Sequence, residues 1–417
     1  MTTPGLPELT RTFARIGCLS FGGPAAQIAL MHRVVLDEKK WVSEQEYLRA
    51  LSFCMLLPGP EAMQLATWIG WRLHGGLGGL IAGGLFVLPG ALVVLALSAL
   101  YAGFGTVPAV AALFAGVQAA VIAIVIEALI RLSRRALRGR ADLMLALAAF
   151  LGLFVLALPF PVILIAAGLW GFFRSAPTTA APTIDTAPPP RPDTAAGVAL
   201  ALWLVPLALV QAFAPARLAE IALYFSKLAL LTFGGAYAVL AWMAQEVVEV
   251  RGWLTLPQMM DGLGLAETTP GPLILVTEFV GYMAGHGAGG WAMGLAGAGI
   301  AVWMTFAPSF LFIFAGAPFI ERLTRMPRLS GALAAITAAV VGVIASLSLW
   351  FALHVLFGSV QRLTLGPVNM PWPDLASLQP LSLGLALLAG WLLLRRHWPL
   401  LAVLGLSALL SIILRAI

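Results

Sequence analysis

Two basic residues within apolar stretches of the chain occupy equivalent positions. Arg15 lies five residues before Ser20, and Lys227 lies five residues before Thr232, so the two cations are 212 positions apart. Charged side chains inside a membrane segment are costly and are usually functional. Two such cations could bind an anion from opposite sides. The alternative is that each side chain extends along its helix and places its charge in water at the membrane surface.

The same stretches are interrupted by glycine pairs, and another two stretches are interrupted by Pro-Gly-Pro. The glycine pairs are at 22–23 and 234–235, and the Pro-Gly-Pro strings are at 58–60 and 270–272. Proline removes a backbone donor and glycine permits left-handed backbone, so these strings predict broken helices. Each new helix start directs free N–H groups and a positive dipole end at its surroundings, which suits a small anion.

A single break could be a mere kink, but four breaks that match in pairs favour a binding site. The candidate anion-binding residues are those at and beside the breaks: Arg15, Ser20, Gly22, Gly23, Pro58, Gly59, Lys227, Thr232, Gly234, Gly235, Thr269, Pro270 and Gly271.

Three carboxylates beside the Pro-Gly-Pro strings are candidates for carrying protons. Glu267 precedes the second string, and Glu278 follows eleven residues later. A carboxylate within the membrane can take up a proton because burial disfavours its charged form. Glu61 directly follows the first string, and Arg72 lies three helical turns further on the same face. A structural ion pair with Arg72 is therefore the favoured interpretation for Glu61, ahead of a role in proton coupling.

The composition excludes most classes of protein in which these residues could act. Of 417 residues, 61% are apolar and only 10% are charged, which is too few polar side chains to cover a soluble surface. Disorder is excluded as well, because it needs low hydrophobicity. The net charge of +6 is spread over short loops and does not predict a nucleic-acid surface. The five His and two Cys show no metal-ligand spacing, so we predict no metal and no cofactor.

Apolar segments recur along the chain and predict an all-α integral membrane protein with about 13 transmembrane helices. We place them at about 10–31, 47–73, 77–101, 108–131, 141–157, 160–173, 198–214, 218–244, 258–285, 290–318, 330–356, 381–394 and 398–414. In this count the arginine-rich loops 131–140 and 319–329 fall on one side of the membrane, which is the cytoplasmic side by the positive-inside rule. The N-terminus then also faces the cytoplasm.

The chain is predicted to contain two homologous halves. The shift of 212 that relates the breaks also pairs His74 with His286. Seven segments separate the starts of the halves, and because seven is odd the second half enters the membrane upside down. Inverted repeats of this kind are typical of secondary transporters. The predicted division has four parts. Residues 1–174 form an N-terminal repeat of about six spans, and residues 175–196 form a Pro/Thr/Ala-rich cytoplasmic linker. Residues 197–216 form an extra connecting span, and residues 217–417 form a C-terminal inverted repeat of about six spans.

Together these motifs resemble those of the chromate ion transporter family in its long, two-domain form. The matching strings are Ser20-Phe21-Gly22-Gly23-Pro24, Leu57-Pro58-Gly59-Pro60-Glu61, Phe86-Val87-Leu88-Pro89-Gly90, Thr232-Phe233-Gly234-Gly235 and Glu267-Thr268-Thr269-Pro270-Gly271-Pro272. The resemblance covers nearly the whole chain. It implies a carrier of the inner membrane that exports chromate, driven by the proton gradient, with sulfate as a competing dianion. Arg15 and Lys227 match the family's basic position before the glycines, whereas Ala236 replaces the proline that follows the first glycine pair.

Other functions remain open at this stage. Within transport, the alternatives are uptake of sulfate or another oxyanion, and a passive anion channel. A membrane-embedded enzyme is disfavoured, because the chain has neither H-E-x-x-H nor G-x-S-x-G. The partners that we predict are chromate, protons as the coupling ion and the lipid bilayer. A homodimer with a second copy of the chain is a further open alternative.

Overall fold

Helices make up nearly all of the regular structure. The computed structural model describes residues 4–175, 194–233, 236–320 and 326–416. The helices in these residues are α1 Leu6–Leu19, α2 Gly23–His32, α3 Glu44–Cys54, α4 Glu61–Phe104, α5 Pro108–Ala136, α6 Arg140–Phe154, α7 Phe160–Arg174, α8 Thr194–Phe213, α9 Ala216–Leu231, α10 Ala236–Gln245, α11 Leu256–Thr268, α12 Val276–Gly316, α13 Pro327–Leu356, α14 Pro380–Leu394 and α15 Leu400–Ala416. Residues 176–193, which form most of the predicted linker, lie outside the described residues.

Several of these helices have the length and composition of membrane spans. Among the described residues, five helical stretches are long and apolar enough to cross a bilayer: Glu61–Phe104, Pro108–Ala136, Thr194–Phe213, Leu273–Phe319 and Pro327–Leu356. Shorter apolar helices accompany them at Phe160–Arg174, Pro380–Leu394 and Leu400–Arg415. This agrees with the predicted helical membrane protein, whereas the count of about 13 spans and the inverted orientation stay predictions.

The predicted breaks are present wherever the structure describes them. Helix α1 ends at Leu19 and α2 begins at Gly23, while α3 ends at Cys54 and α4 begins at Glu61. In the second half, α11 ends at Thr268, and a short 3₁₀ turn over Leu273–Leu275 precedes α12. The fourth break separates α9 from α10, but its Gly234 and Gly235 lie outside the described residues. Pro and Gly therefore interrupt these helices as their backbone chemistry requires.

Helices α4 and α12 are each two arms that fold back on each other. The backbone is non-helical at His74 and Gly75 in α4, and at Gly289 and Gly290 in α12. Small residues form the seam between the arms, because a Cβ atom added at Gly281 would lie 2.5 Å from the carbonyl oxygen of Gly297. The arm that follows each Pro-Gly-Pro string is therefore shorter than a full span.

The described residues divide into two compact units, and each unit contains segments from both predicted repeats. The first unit lies within Met1–Ala102, Pro177–Ala236 and Leu265–Ser330, and the second lies within Gly103–Ala176, Tyr237–Gly264 and Gly331–Ile417. In the first unit α12 packs on α8 and α9. In the second unit α5 packs on α14 and α15.

Matching backbone details recur in the two halves. A π-helical segment at Arg33–Glu38 has a counterpart at Glu246–Val250. After each segment comes a residue with positive φ, Lys40 (54°) and Gly252 (59°), and these two are 212 positions apart. The turns between α6 and α7 and between α14 and α15 also match, with positive φ at Ala157 and His397, which are 240 positions apart. The larger shift reflects additional residues in the second half before α14.

Some of these additional residues form a short β-hairpin, while the described residues otherwise agree with the predicted all-α membrane protein. Strand β1 (Val360–Leu365) pairs antiparallel with strand β2 (Val368–Pro373). Gly366 in the turn has φ 58°, which is the left-handed conformation that tight hairpins require. The N–H of Asn369 donates to the carbonyl of Val155 (2.7 Å) and the Arg362 guanidinium pairs with Glu249, which attaches the hairpin to the second unit.

The seam inside α12 yields a test of the folded-back arms. Gly281→Ala places a methyl group 2.5 Å from both Gly297 O and Ala301 Cβ. Such overpacking costs about 1–3 kcal/mol, so we expect the thermal unfolding midpoint in detergent to fall by several degrees. Gly299→Ala is the matched control, since no atom lies within 4 Å of its Cβ position, and it should leave the midpoint unchanged or slightly raised. Equal midpoints for both variants would contradict the seam.

Candidate functional site

The first break of each half has the same local geometry. Ser20 and Thr232 cap α1 and α9 with nearly identical φ and ψ, −80° and 71° against −79° and 72°. Both hydroxyls are buried and donate to a carbonyl oxygen one turn earlier: Ser20 Oγ to Ile16 O (2.7 Å) and Thr232 Oγ1 to Leu228 O (2.7 Å). A hydroxyl has a single proton to donate. These two residues therefore present their backbone carbonyls, and not a free hydroxyl proton, to their surroundings.

The Pro-Gly-Pro breaks depend on glycine. Gly59 has φ 123° and Gly271 has φ 95°, a conformation that other residues rarely adopt. Space is also short, because a Cβ atom at Gly59 would lie 2.5 Å from Ser309 Oγ and 2.6 Å from Gln64 Nε2. At Gly271 the nearest atoms belong to Leu275 and Gly90 instead. The first glycine therefore faces polar side chains, and the second faces the Leu275 side chain and the Gly90 backbone.

The breaks of one half are hydrogen-bonded to those of the other half. The N–H of Gly59 donates to Thr232 O (2.7 Å), and the N–H of Gly271 donates to Ser20 O (2.7 Å). These reciprocal bonds, which we call the crossed bonds, join residues that are related by the 212-residue shift. They bring the predicted glycine and Pro-Gly-Pro breaks together in pairs within the first unit. They also occupy the N–H groups of Gly59 and Gly271, so these two cannot donate to an anion in this conformation.

The N-terminus of α2 is open. Gly22 is exposed and has φ 87°, and no side chain caps the helix. At Gly23 no atom lies within 4 Å of the Cβ position. Ala25 and Ala26 in the first turn are exposed as well. Since the first N–H groups of a helix have no partner within it, this end can accept an anion.

The two predicted cations are both exposed on their helices. Arg15 has a side chain that is 63% exposed and lies 3.8 Å from a carboxylate oxygen of Glu38. Lys227 is exposed and makes no hydrogen bond or ion pair with any residue that the structure describes. Neither side chain is buried at the crossed bonds. Their charges are therefore available on exposed faces of α1 and α9.

The three predicted acids differ in their surroundings. Glu278 is only 3% exposed, and its Oε2 atom is buried with no hydrogen-bond partner among the described residues. Glu61 and Glu267 are half-buried. The predicted ion pair of Glu61 with Arg72 is wrong, because Arg72 instead pairs with Glu46 (3.2 Å). Glu61 and Arg72 share a face of α4, but eleven residues of helix separate them by about 16 Å, whereas Glu46 of α3 lies within ion-pair distance of Arg72.

Three further buried polar residues were not predicted. Gln27 and Gln64 are 1% and 0% exposed, and Asp261 is 4% exposed and accepts a hydrogen bond from Gln118 Nε2 (2.7 Å). Gln64 Nε2 donates to Pro58 O (2.7 Å), so it supports the first Pro-Gly-Pro break. The available signal was the presence of amides and an acid in apolar segments.

Comparison with known proteins identifies the family. The model of the chromate transporter family matches residues 7–172 and 219–412. The chain is 35% identical to a chromate transport protein of Pseudomonas aeruginosa over 86% of this chain and 84% of that protein. It is 30% identical to the chromate transport protein of Cupriavidus metallidurans, over 81% of this chain and 80% of the relative. A probable chromate transport protein of Synechococcus elongatus is also 30% identical, over 82% and 83% of the two chains. No solved structure matches. The apolar helices and these relatives together indicate a multi-pass membrane protein, and the chain belongs to the chromate transporter family.

Proposed function

We propose that this protein is a secondary active transporter that exports chromate across the inner membrane and is driven by the proton gradient. The observation that supports this most directly is the pair of crossed bonds, from Gly59 to Thr232 and from Gly271 to Ser20. Discontinuous helices from two repeats that meet in this way form the substrate sites of many secondary transporters. Irregular backbone at membrane depth is tolerated only inside protein or beside a water-filled cavity.

The proposed topology is a pair of inverted repeats with the N-terminus and the linker in the cytoplasm. The odd number of predicted segments between the repeats supports their opposite orientation. The distribution of arginine supports it as well, because the arginine-rich loop 319–329 of the second half corresponds to the uncharged loop 102–107 and not to the arginine-rich loop 131–140. A membrane protein with repeats of this kind can expose one central site to either side in turn.

Chromate binds, in this proposal, at the open start of α2. The N–H groups in the first turn of α2, where Pro24 has none, donate to its oxygens, and the helix dipole favours negative charge there. Arg15 and Lys227 supply positive charge from α1 and α9, since an anion without compensating charge is very costly to transfer from water. Gly59 and Gly271 contribute differently, because their N–H groups hold the breaks in place through the crossed bonds.

Glu278 is the proposed carrier of the coupling proton. A buried carboxylate with an oxygen that has no partner is costly when charged and far less costly when protonated. The equivalent position in the first repeat is Ala66, so this carboxylate belongs to one repeat only. Glu267 and Glu61, which lie beside the two Pro-Gly-Pro strings, are the further candidates.

The function is tested by uptake of labelled chromate into inverted membrane vesicles. In these vesicles export appears as uptake, and an acidic interior should accelerate it above the level reached without a gradient. Collapse of the uphill component by an uncoupler would separate a coupled transporter from a passive channel. Equal rates of chromate uptake with and without the proton gradient would contradict the proposal.

Lys227→Ala tests the proposed cation. Loss of a charge-assisted interaction of about 1.5–3 kcal/mol should raise the KM for chromate at least about tenfold and abolish chromate resistance in cells. Lys227→Arg should retain most of the transport, because it keeps the charge. Arg415→Ala, which removes an exposed cation from the end of α15, serves as the control. Full resistance in Lys227→Ala, with normal amounts of protein in the membrane, would remove Lys227 from the site.

Glu278→Gln tests the coupling carboxylate. The substitution keeps the shape of the side chain and removes the carboxyl group, which can take up and release a proton. We expect exchange of chromate across the membrane without a gradient to persist, while acceleration by the proton gradient is lost. Glu127→Gln, which alters the exposed ion pair with Arg131, is the matched control and should remain coupled. Normal acceleration by the gradient in Glu278→Gln would assign the coupling to another group.

A further inference from the structure

The side-chain amide of Gln27 lies across the open break at the start of α2. Its Nε2 atom donates to the carbonyl of Gly271 (2.6 Å) and lies 3.4 Å from the carbonyl of Ser20. Side chains in a helix lean toward its N-terminus, so this amide reaches back over the break. Gln27 thus connects α2, whose N-terminus is open, to the crossed bond between Gly271 and Ser20.

These contacts fix which atom of the amide is the donor. An amide that is rotated by half a turn would place its oxygen against two carbonyl oxygens, which repel it, so Nε2 must face them. The Oε1 atom is then left as an acceptor. It is buried and has no hydrogen-bond partner among the described residues. A buried acceptor that lacks a donor is destabilising, so a group that supplies a proton here would be bound favourably.

The second repeat shows that the break does not need an amide at this position. The residue 212 positions after Gln27 is Val239, which is completely buried. An apolar side chain therefore serves in one repeat where the other has a polar group with an unused acceptor. Buried polar groups of this kind require an explanation other than packing.

Gln27 lies about one turn after the open start of α2, so the unused acceptor and the open donors belong to the same short helix. Gly23 is four residues before Gln27 and thus on the same face of the helix. No atom lies within 4 Å of the Cβ position of Gly23. The amide contacts the carbonyls of Ser20 and Gly271, and the segments 20–27 and 269–275 around these contacts contain no ionisable side chain. A ligand bound at this break therefore meets N–H donors and one fixed acceptor together.

We infer that the transported species is the singly protonated oxyanion, and that Gln27 Oε1 accepts the hydrogen bond from its O–H group. Chromate takes up a proton close to neutral pH, whereas sulfate does so only in strong acid. A site that contains a fixed acceptor discriminates against an analogue that brings no donor, because the acceptor stays unpaired. Gln27 is then the residue that selects chromate over sulfate. This inference rests on the proposed function and narrows its substrate.

Competition in the unaltered protein tests the inference first. Exchange of labelled chromate is measured in proteoliposomes at neutral pH without a gradient, against arsenate and phosphate, which carry a proton, and against sulfate and selenate, which do not. We expect arsenate to compete at least about tenfold better than sulfate, which is the factor for about 1.4 kcal/mol. The KM for total chromate should rise as the pH is raised. Sulfate and selenate that compete as well as arsenate would overturn the inference.

Gln27→Met tests the residue, because methionine has similar length and no comparable acceptor. We expect the preference for chromate over sulfate to fall about tenfold, and the KM to lose its dependence on pH. Gln211→Met on α8, where the glutamine is exposed, is the control and should retain both. An unchanged preference in Gln27→Met would mean that Oε1 meets only a buried water, which refutes the inference. If Gln27→Met does not fold, the competition series alone decides.

Absence of any chromate exchange in the unaltered protein would refute the proposed function instead.

Discussion

The crossed bonds between the two repeats are the constraint on which the central structure depends. A broken helix leaves carbonyl groups free at the end of one half-helix and N–H groups free at the next backbone turn, and apolar surroundings offer them no water. Here the carbonyls of Ser20 and Thr232 accept from the N–H groups of Gly271 and Gly59. Each repeat thus satisfies the break of the other. In each crossed bond the donor and the acceptor come from different repeats.

The symmetry of the backbone makes the differences between side chains informative. Gln27 and Gln64 support the breaks from the first repeat, whereas the equivalent positions, Val239 and Val276, are apolar and buried. A shared backbone geometry explains why the repeats resemble each other. It does not explain a buried amide in one repeat and a valine in the other. Chemistry that requires polar groups, including recognition of an anion, should therefore depend on residues that the repeats do not share.

The parts of this structure that could be predicted are those with local causes. Pro-Gly-Pro and paired glycines interrupt helices through their own backbone chemistry, so the breaks at 20–22 and 55–60 followed from the strings predicted to break the helices at 22–23 and 58–60. The partner of Arg72 did not, because helical spacing places Glu61 on the same face but cannot show that Glu46 of another helix approaches more closely. The hairpin at β1 and β2 was missed for a related reason. Its strands have only six residues each, and contacts with Glu249 and Val155 help to hold it.

The energy of the crossed bonds limits which parts of the protein can move during transport. Breaking both bonds would leave two N–H groups and two carbonyls without partners, at about 1–3 kcal/mol for each buried group. The sum is comparable to the whole stability of a typical domain, which is about 5–15 kcal/mol. Motion that separates the breaks without giving these four groups new partners is therefore strongly disfavoured. A transport cycle must therefore keep the crossed bonds or replace them within the same step. The open N-terminus of α2, which is not tied by its own N–H groups, is the part of the break that remains free to respond to the substrate.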